Sequence, residues 1–294
     1  MKKQRGALFL FLTPGFLVMF FIALVPFAFA IFMSLINLNV MYSSKPHFVG
    51  LENYINLFTD RRALNAFRNT GIFVGVAVGI EFIIALPMSY IFYSTFKRRR
   101  MRNLIMLLIA FPMMIPKVTS GLLWKFLYNP LFGLVNYFRS LIGMQPFAFL
   151  SNPTTALISI VLVDIWQWTP FMILILLSSL EALPEEPFEA ATIDRANEFQ
   201  KFWYLAVPML RPIFFVAVIF RVIDALRTFD TIYVMTSGGP GIATETVDIF
   251  AYLIGISQGG RLSYASAASI ILLIITIIIS NVITKYLYKE DITA

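Results

Sequence analysis

The sequence has no cysteine, a single histidine and few charged residues of either sign. Without cysteine the chain can form neither a disulfide, nor a thiolate metal site, nor a cysteine nucleophile. His47 lies beside "GLENY" in a polar segment, where we interpret it as a surface residue. The phosphate-binding pattern G-x-x-x-x-G-K-[ST] is also absent, so the chain is not expected to hydrolyse ATP by itself. We therefore predict no catalytic residues, no metal site, no cofactor bound by this chain and no enzymatic activity.

Apolar residues dominate what is present. Of the 294 residues 59% are hydrophobic and only 13% are charged, and the mean hydropathy is +0.80. Soluble domains carry about twice this proportion of charge. The net charge is +7, and most of the basic residues lie at the ends of apolar runs. They do not form one basic and aromatic surface, which argues against nucleic acid as a partner. The composition predicts an all-α integral membrane protein surrounded by lipid.

Six windows are apolar for the roughly 20 residues that a transmembrane helix needs. They cover residues 7–36, 69–94, 104–128, 154–181, 209–235 and 264–288. We treat residues 1–294 as a single transmembrane domain made from these spans.

Lysine and arginine predict the orientation of the spans. With the N-terminus inside, thirteen fall on the cytoplasmic side, against Lys45, Arg61, Arg62, Arg139 and Arg261 outside. The strongest part of this bias is "KRRRMR" between the second and third windows. By the positive-inside rule both termini are expected in the cytoplasm.

Ionisable residues inside the windows are costly unless they are paired or hydrated. The fifth window carries Arg221, Asp224, Arg227 and Asp230, and further charges are Glu81, Lys117, Lys125 and Asp164. Signs in the series alternate every three residues, so neighbours on one helix can pair. One interpretation is a self-satisfied ladder that holds helices together. The other is that part of this face lines an aqueous cavity for a polar solute.

The fourth window supports the cavity interpretation. Its "DIWQWTPF" places Asp164, Gln167, Trp168 and Phe171 at positions i, i+3, i+4 and i+7, on one helix face. Carboxylate and amide groups can hydrogen-bond sugar hydroxyls while aromatic rings contact the C–H faces of a sugar. Aromatic residues are also enriched at membrane interfaces, so the rings alone do not establish a site.

The longest mostly polar stretch is "FEAATIDRANEFQKFWYLAVPMLRP", residues 188–212, between the fourth and fifth windows. Pro184 and Pro187 are expected to end the preceding span and to start a new helix. Acidic residues at the beginning of this helix interact favourably with its positive N-terminal end. They also repel anionic lipid headgroups, which makes a lipid surface an unfavourable neighbour. Pro208 and Pro212 are expected to interrupt the helix before the fifth span.

This stretch resembles the cytoplasmic EAA loop of permease subunits in bacterial ABC importers. The family pattern is E-A-A, three residues, Gly, nine residues, Ile, one residue, Leu-Pro. Arg195 stands where the family has glycine, and we expect this to affect close backbone approach but not the helix. The matching positions, with Arg195 included, imply ATPase-coupling residues Glu189, Ala190, Ala191, Asp194, Arg195 and Ala196.

The resemblance extends over nearly the whole chain and is closest to the maltose F-type permeases of the carbohydrate branch. It rests on "FVGLENYINLF", "LLWKFLYNPLFGLVNYF", "LEALPEEPFEAATID" and "YVMTSGGPGIATET". It implies a type I importer fold of six transmembrane helices in the bacterial inner membrane, with a coupling loop at residues 184–208. The implied partners are a maltose G-like permease, two ATPase subunits that bind ATP and magnesium, and an extracytoplasmic sugar-binding protein.

The resemblance also implies that the helices before and after the EAA loop face the sugar. The expected substrate-binding residues are then Asp164, Gln167, Trp168, Phe171, Arg221 and Asp224. The alternative function is a secondary transporter or channel for a small polar solute, which the buried charges and the prolines within spans would also fit. Inverted repeats are common in such proteins, and we detect none in this sequence.

Overall fold

The structure, a computed structural model, describes residues 2–41, 45–96 and 99–291. Lys97 and Arg98 of the predicted cytoplasmic basic cluster lie outside these residues. Apart from a two-residue β-ladder, the regular elements are helices. They are α1 (Lys2–Ser34), β1 (Ile36–Asn37), β2 (His47–Phe48), α2 (Glu52–Thr59), α3 (Arg61–Thr95), α4 (Arg99–Met114), α5 (Lys117–Leu127), α6 (Leu134–Leu141), α7 (Ala156–Glu181), α8 (Glu186–Ile193), α9 (Glu198–Lys201), α10 (Val207–Leu226), α11 (Asp230–Thr236), α12 (Val247–Tyr252) and α13 (Leu262–Asp291).

The chain divides into two compact units, of which the first comprises Met1–Leu64 and Phe250–Ile274. Here β1 and β2 pair antiparallel after α1 ends, with Ile36 opposite Phe48. The buried Asn53 amide donates to the carbonyls of Ser34 at 2.9 Å and Ile36 at 2.8 Å. These two bonds satisfy backbone acceptors that the end of α1 would otherwise leave unpaired.

The second unit comprises Asn65–Ile249 and Ile275–Ala294. Its centre is α7, whose described residues are the most buried of the long apolar helices. Helices α4, α5, α10 and α11 pack around it. The buried Gly121 of α5 faces the backbone of Thr231 in α11, where an added Cβ atom would make an ordinary van der Waals contact at 3.4 Å. This unit contains all of the residues predicted to bind substrate.

Among the described residues, five helices are long and apolar enough to span a membrane, and a bent pair makes a sixth span when its halves are counted together. The pair is α4 and α5, which meet at an angle of 88°. The third predicted window, 104–128, therefore covers two helices. Pro116 causes the break, since it has no N–H to donate and disfavours helical backbone at Ile115.

The fifth predicted window, 209–235, extends past the end of its helix. Helix α10 ends at Leu226, where the N–H groups of Arg227 and Thr228 bond to carbonyls three residues earlier. Such bonds tighten the last turn of a helix. Asp230 begins the separate helix α11. The expectation that four alternating charges share one continuous helix face is therefore wrong beyond Asp224.

Two short helices form the polar stretch. Helix α8 begins at Glu186 with Pro187 in its first turn, as predicted, and ends at Ile193. Arg195 then adopts φ of +57°, in the left-handed region that favours glycine. The Ala196 N–H bonds to the Ala191 carbonyl and the Arg195 N–H to the Thr192 carbonyl, which is the Schellman pattern. Helix α8 forms with arginine in place of the family glycine, as expected, but Arg195 lies outside the helix, in the turn that ends it.

Pro208 and Pro212 do not interrupt the helix before the fifth span, contrary to expectation. Helix α9 passes through a π-helical turn, Phe202–Ala206, directly into α10. In this turn the Val207 N–H bonds to the Phe202 carbonyl five residues earlier. Pro208 directly follows this π-helical turn, and local π geometry is one way in which a membrane helix accommodates the missing N–H of a proline. Residues Glu198–Leu226 thus form one helical segment of 29 residues.

The left-handed backbone at Arg195 generates a prediction about stability. In this conformation the Cβ atom lies too close to the following carbonyl oxygen, which costs about 1 kcal/mol. Arg195→Gly removes this clash and is expected to have a thermal unfolding midpoint at or above that of the native protein. The matched variant Arg195→Val places a β-branched residue at the same φ and is expected to unfold lower. Thermal unfolding of the purified protein tests both. A lower midpoint for glycine than for valine would contradict the role of φ.

Candidate functional site

A charged cluster centres on Arg221 of α10, whose side chain is fully buried. Its guanidinium donates from Nε to Glu81 Oε2 at 2.7 Å and from Nη2 to Glu81 Oε1 at 2.9 Å. Nη2 also donates to Asp164 of α7. Paired bonds of this kind fix the guanidinium and carboxylate in one plane. Arg221 therefore connects α3, α7 and α10 inside the bundle.

Asp224 and Lys117 extend this cluster toward the surface. Arg221 Nη1 donates to Asp224 Oδ2 at 3.0 Å, and Lys117 Nζ donates to both Asp224 oxygens at 3.0 and 3.1 Å. The side chains of Lys117 and Asp224 are 21% and 37% exposed, whereas those of Arg221 and Glu81 are fully covered. The cluster thus has an enclosed end and an accessible end.

Trp168 lies beside both cations of the cluster. The Lys117 ammonium is 5.1 Å and the Arg221 guanidinium 5.3 Å from the centre of one indole ring, within cation–π range. Phe171 contacts the same ring edge-on at 6.0 Å, and both aromatic residues are half-buried. The accessible end of the cluster therefore joins two aromatic rings to a paired carboxylate and ammonium.

Gln167 is buried on the enclosed side. Its Nε2 donates to the Ile115 carbonyl at 2.7 Å, in the break between α4 and α5. Gln167 Oε1 and Trp168 Nε1 are buried and make no hydrogen bond within the described part of the chain. All six predicted substrate-binding residues thus belong to one neighbourhood, but Asp164, Gln167 and Arg221 are enclosed while Trp168, Phe171 and Asp224 are partly accessible.

The site residues expected from sequence did not include Glu81 or Lys117. Both had been recognised as charges within apolar windows, which signals that each needs a counter-charge. Hydropathy does not identify the partner, because Glu81 and Arg221 are 140 residues apart. This separation explains why sequence spacing could predict only the local pairing of Arg221 with Asp224, three residues later.

The predicted coupling residues lie on or directly after α8, which has no buried residue. Phe188 turns inward and its ring lies 5.9 Å from that of Tyr93. Glu189, Ala190 and Asp194 are exposed, as is the apolar Ile193. A short helix that packs inward through Phe188 and exposes most of its other side chains has the form of a docking element.

Helix α9 is tied to the end of α3 by polar contacts. The Tyr90 hydroxyl donates to Glu198 Oε2 at 3.0 Å, and Lys201 Nζ lies 2.8 Å from Glu198 Oε1. Below these contacts, Tyr90 packs with Leu180, Phe202, Ala206 and Leu210 in an apolar core. The base of the α8–α9 turn is therefore anchored while α8 itself is exposed.

Comparisons with known proteins agree with this architecture. A family model described as binding-protein-dependent transport system inner membrane component matches residues 68–289. The chain belongs to this family of inner-membrane transport proteins. Among its relatives, the trehalose/maltose transport system permease protein MalF of Thermococcus litoralis is 38% identical over 214 residues, which are 73% of this chain and 72% of the relative.

Solved structures show the same fold. A chain of a bacterial ABC transporter involved in the import of the acidic polysaccharide alginate superposes with a TM-score of 0.84 at 20% identity, over 98% of this chain and 96% of that one. A chain of the bacterial alginate ABC transporter in complex with an alginate pentasaccharide-bound periplasmic protein gives 0.82 at 21% identity, over 96% and 93%. The expected all-α importer-permease fold is confirmed, and so is the inner-membrane location expected of the family.

The buried Arg221 cluster generates a prediction about stability. Glu81→Ala leaves the guanidinium without its bidentate partner, which typically costs about 3 to 5 kcal/mol. The matched control is Glu181→Ala, because Glu181 pairs with Arg102 at 2.8 Å but is 39% exposed; there we expect a loss below about 1 kcal/mol. Denaturant unfolding of the purified variants in detergent measures both. Equal losses would contradict the importance of the buried pair.

Proposed function

We propose that this chain is the permease subunit of an ATP-driven importer for a sugar or sugar derivative. Its solute pathway would form between this subunit and a second, similar permease. Family membership supports transport, and the trehalose/maltose permease among the relatives supports a sugar. Both favour the importer over the alternative of a secondary transporter or channel.

The single observation that carries the sugar assignment is the accessible end of the Arg221 cluster. Trp168 and Phe171 provide ring faces for sugar C–H groups, and Asp224 provides carboxylate oxygens for hydroxyls. The indole Nε1 of Trp168 is a donor that no described residue of this chain satisfies. We propose that these three residues contact the solute, with Lys117 holding the Asp224 carboxylate.

Asp164, Gln167 and Arg221 take a different part in this proposal. Arg221 donates to Glu81, Asp164 and Asp224, and Gln167 donates to Ile115. Buried groups engaged in this way cannot bind a solute without breaking strong bonds. We therefore propose that these three residues position the Trp168 ring and the Asp224 carboxylate and that they do so without touching the sugar.

ATP would act on α8 and on the turn that joins it to the helical segment carrying Arg221 and Asp224. We propose that Glu189, Ala190, Ala191, Asp194, Arg195 and Ala196 dock on one of two partner ATPase subunits, which would bind ATP and magnesium. From Glu198 the helix continues unbroken to Leu226, past Asp224. This distance is roughly 40 Å at 1.5 Å per residue. A displacement of the docked turn would thus reach Arg221 and Asp224 along one continuous helical segment and change access to the solute site.

The remaining partner would be an extracytoplasmic sugar-binding protein. The family description names binding-protein dependence, and a structurally similar alginate transporter has been solved with its periplasmic protein. We place both termini in the cytoplasm, because the basic residues bracket the spans on that side. The α8–α9 turn then faces the ATPases, and the opposite ends of α5 and α7 face the binding protein.

The first test concerns the proposed sugar contact. Trp168→Ala is expected to reduce sugar uptake several-fold while the complex still assembles, because it removes the aromatic face proposed to contact the sugar. Trp168→Phe should retain part of the uptake, since it keeps an aromatic face but loses the N–H. The control is Leu162→Ala, on an exposed surface of the same helix. Uptake by proteoliposomes is the measurement, and normal uptake by Trp168→Ala would remove this residue from the pathway.

The second test concerns docking. Glu189→Lys reverses an exposed charge in the first turn of α8 and is expected to weaken the attachment of the ATPase or the stimulation of ATP hydrolysis by loaded binding protein. Glu52→Lys makes the same charge change in the first turn of α2 and should have no such effect. Membrane insertion should be unchanged in both. Normal ATPase attachment and stimulated hydrolysis in Glu189→Lys would contradict the docking role.

A further inference from the structure

Helix α6 and the turn before it, residues 131–142, expose an unusually apolar surface. Leu131, Tyr137, Phe138, Leu141 and Ile142 are each more than half exposed. Along α6 the apolar residues Leu134, Tyr137, Phe138 and Leu141 share one face. Contiguous apolar surface of this kind marks contact with a membrane or another protein. We call these four residues the α6 apolar face.

Two polar residues of the same helix, Asn136 and Arg139, make contacts on its inner side. The buried Asn136 donates to the carbonyls of Tyr128, Asn129 and Phe147 at 3.4, 3.1 and 3.0 Å, and its Oδ1 accepts from the Phe147 N–H at 2.8 Å. Arg139 donates to the Gln145 carbonyl, with its guanidinium 5.7 Å from the rings of both Phe147 and Phe149. A helix on a water-exposed surface has the opposite arrangement.

The turn before α6 fixes its position relative to the end of the membrane-spanning segment. A Cβ atom at Gly133 would lie 2.4 Å from the carbonyl oxygens of Leu127 and Asn129, so only glycine fits there. Leu127 is the last residue of α5. The hydroxyl of the adjacent Tyr128 donates to the Ser159 carbonyl at 3.3 Å. Helix α6 therefore begins directly beside the point where α5 ends.

Lipid is the occupant that this geometry favours. The exposed Phe126 of α5 contacts Phe132 with their ring centres 6.3 Å apart, so the surface of a membrane-spanning helix continues into the turn before α6. Tyrosine and phenylalanine are suited to the depth of the lipid headgroups. Arg139 is the only charged residue between Lys125 and Asp164, and it points inward. An amphipathic helix of this kind can lie in the plane of the membrane interface.

We propose that α6 lies on the bilayer surface with the α6 apolar face inserted among the lipid headgroups and upper acyl chains. The helix would then anchor the end of α5 at a fixed depth in the membrane. Because α5 carries Lys117 at its other end, this anchor would also limit the movement of the helix that holds Asp224. The proposal requires only that the chain is inserted in a membrane, so it stands independently of the transported solute.

Cysteine labelling tests the proposal directly, because the sequence contains no cysteine. The complex is purified with Phe138→Cys, labelled with a fluorophore and reconstituted into phosphatidylcholine vesicles that contain nitroxide-labelled lipid. Leu141→Cys is a second position on the same face. Ser151→Cys, in the exposed polar part of the same connection, is the matched control.

Nitroxides placed near the glycerol backbone are expected to quench labels at positions 138 and 141 several-fold more than the label at position 151. Nitroxides near the bilayer centre should quench the labels at positions 138 and 141 less than nitroxides near the glycerol backbone do, since interfacial helices insert only about 5 to 10 Å. Quenching no stronger than at position 151 would overturn the proposal. If the same positions then formed cross-links to another subunit, the α6 apolar face would be a protein interface instead.

Discussion

A guanidinium buried in an apolar bundle must be neutralised, and in this protein the neutralising carboxylates come from different helices. Arg221 of α10 binds Glu81 of α3 and Asp164 of α7, all three with almost no exposure to solvent. Removing one carboxylate would leave part of the Arg221 charge uncompensated at a depth where water is scarce. The arrangement of these three helices therefore depends on this set of ion pairs. The ion pairs also position the accessible residues beside them, Asp224, Trp168 and Phe171.

The same cluster divides the predicted site into two parts. Its enclosed part is saturated by bonds within the chain, while Asp224, Trp168 and Phe171 retain accessible surface. Helix α10 connects this boundary to the α8–α9 turn without interruption. In the proposed function, the buried Arg221 and the accessible Asp224 are thus adjacent on α10, the helix that would receive movement from α8. The ion pairs of the enclosed end agree with the ladder interpretation, and the proposed cavity lining would concern only the accessible end.

Hydropathy and one polar motif were sufficient to predict the membrane class, the approximate spans and the permease family. They could not predict features set by backbone geometry or by distant partners. The 88° bend at Ile115 and Pro116 lies inside a continuous apolar window, and the gap between α10 and α11 has no glycine or proline to mark it. Glu81 shows only that some cation must be near. Arg195 was recognisable as a departure from the family glycine, but the reason for that glycine, a positive φ, required the structure.

The central claim is that Trp168 faces the solute pathway whereas its neighbour Gln167 is sealed inside the bundle. Cysteine accessibility in the assembled complex tests this most directly, since the chain has no cysteine of its own. We expect Trp168→Cys to react with a water-soluble maleimide, more slowly when the transported sugar is present, and Gln167→Cys to remain unreactive. Equal reactivity at the two positions, or labelling of Trp168→Cys that the sugar does not slow, would contradict the account.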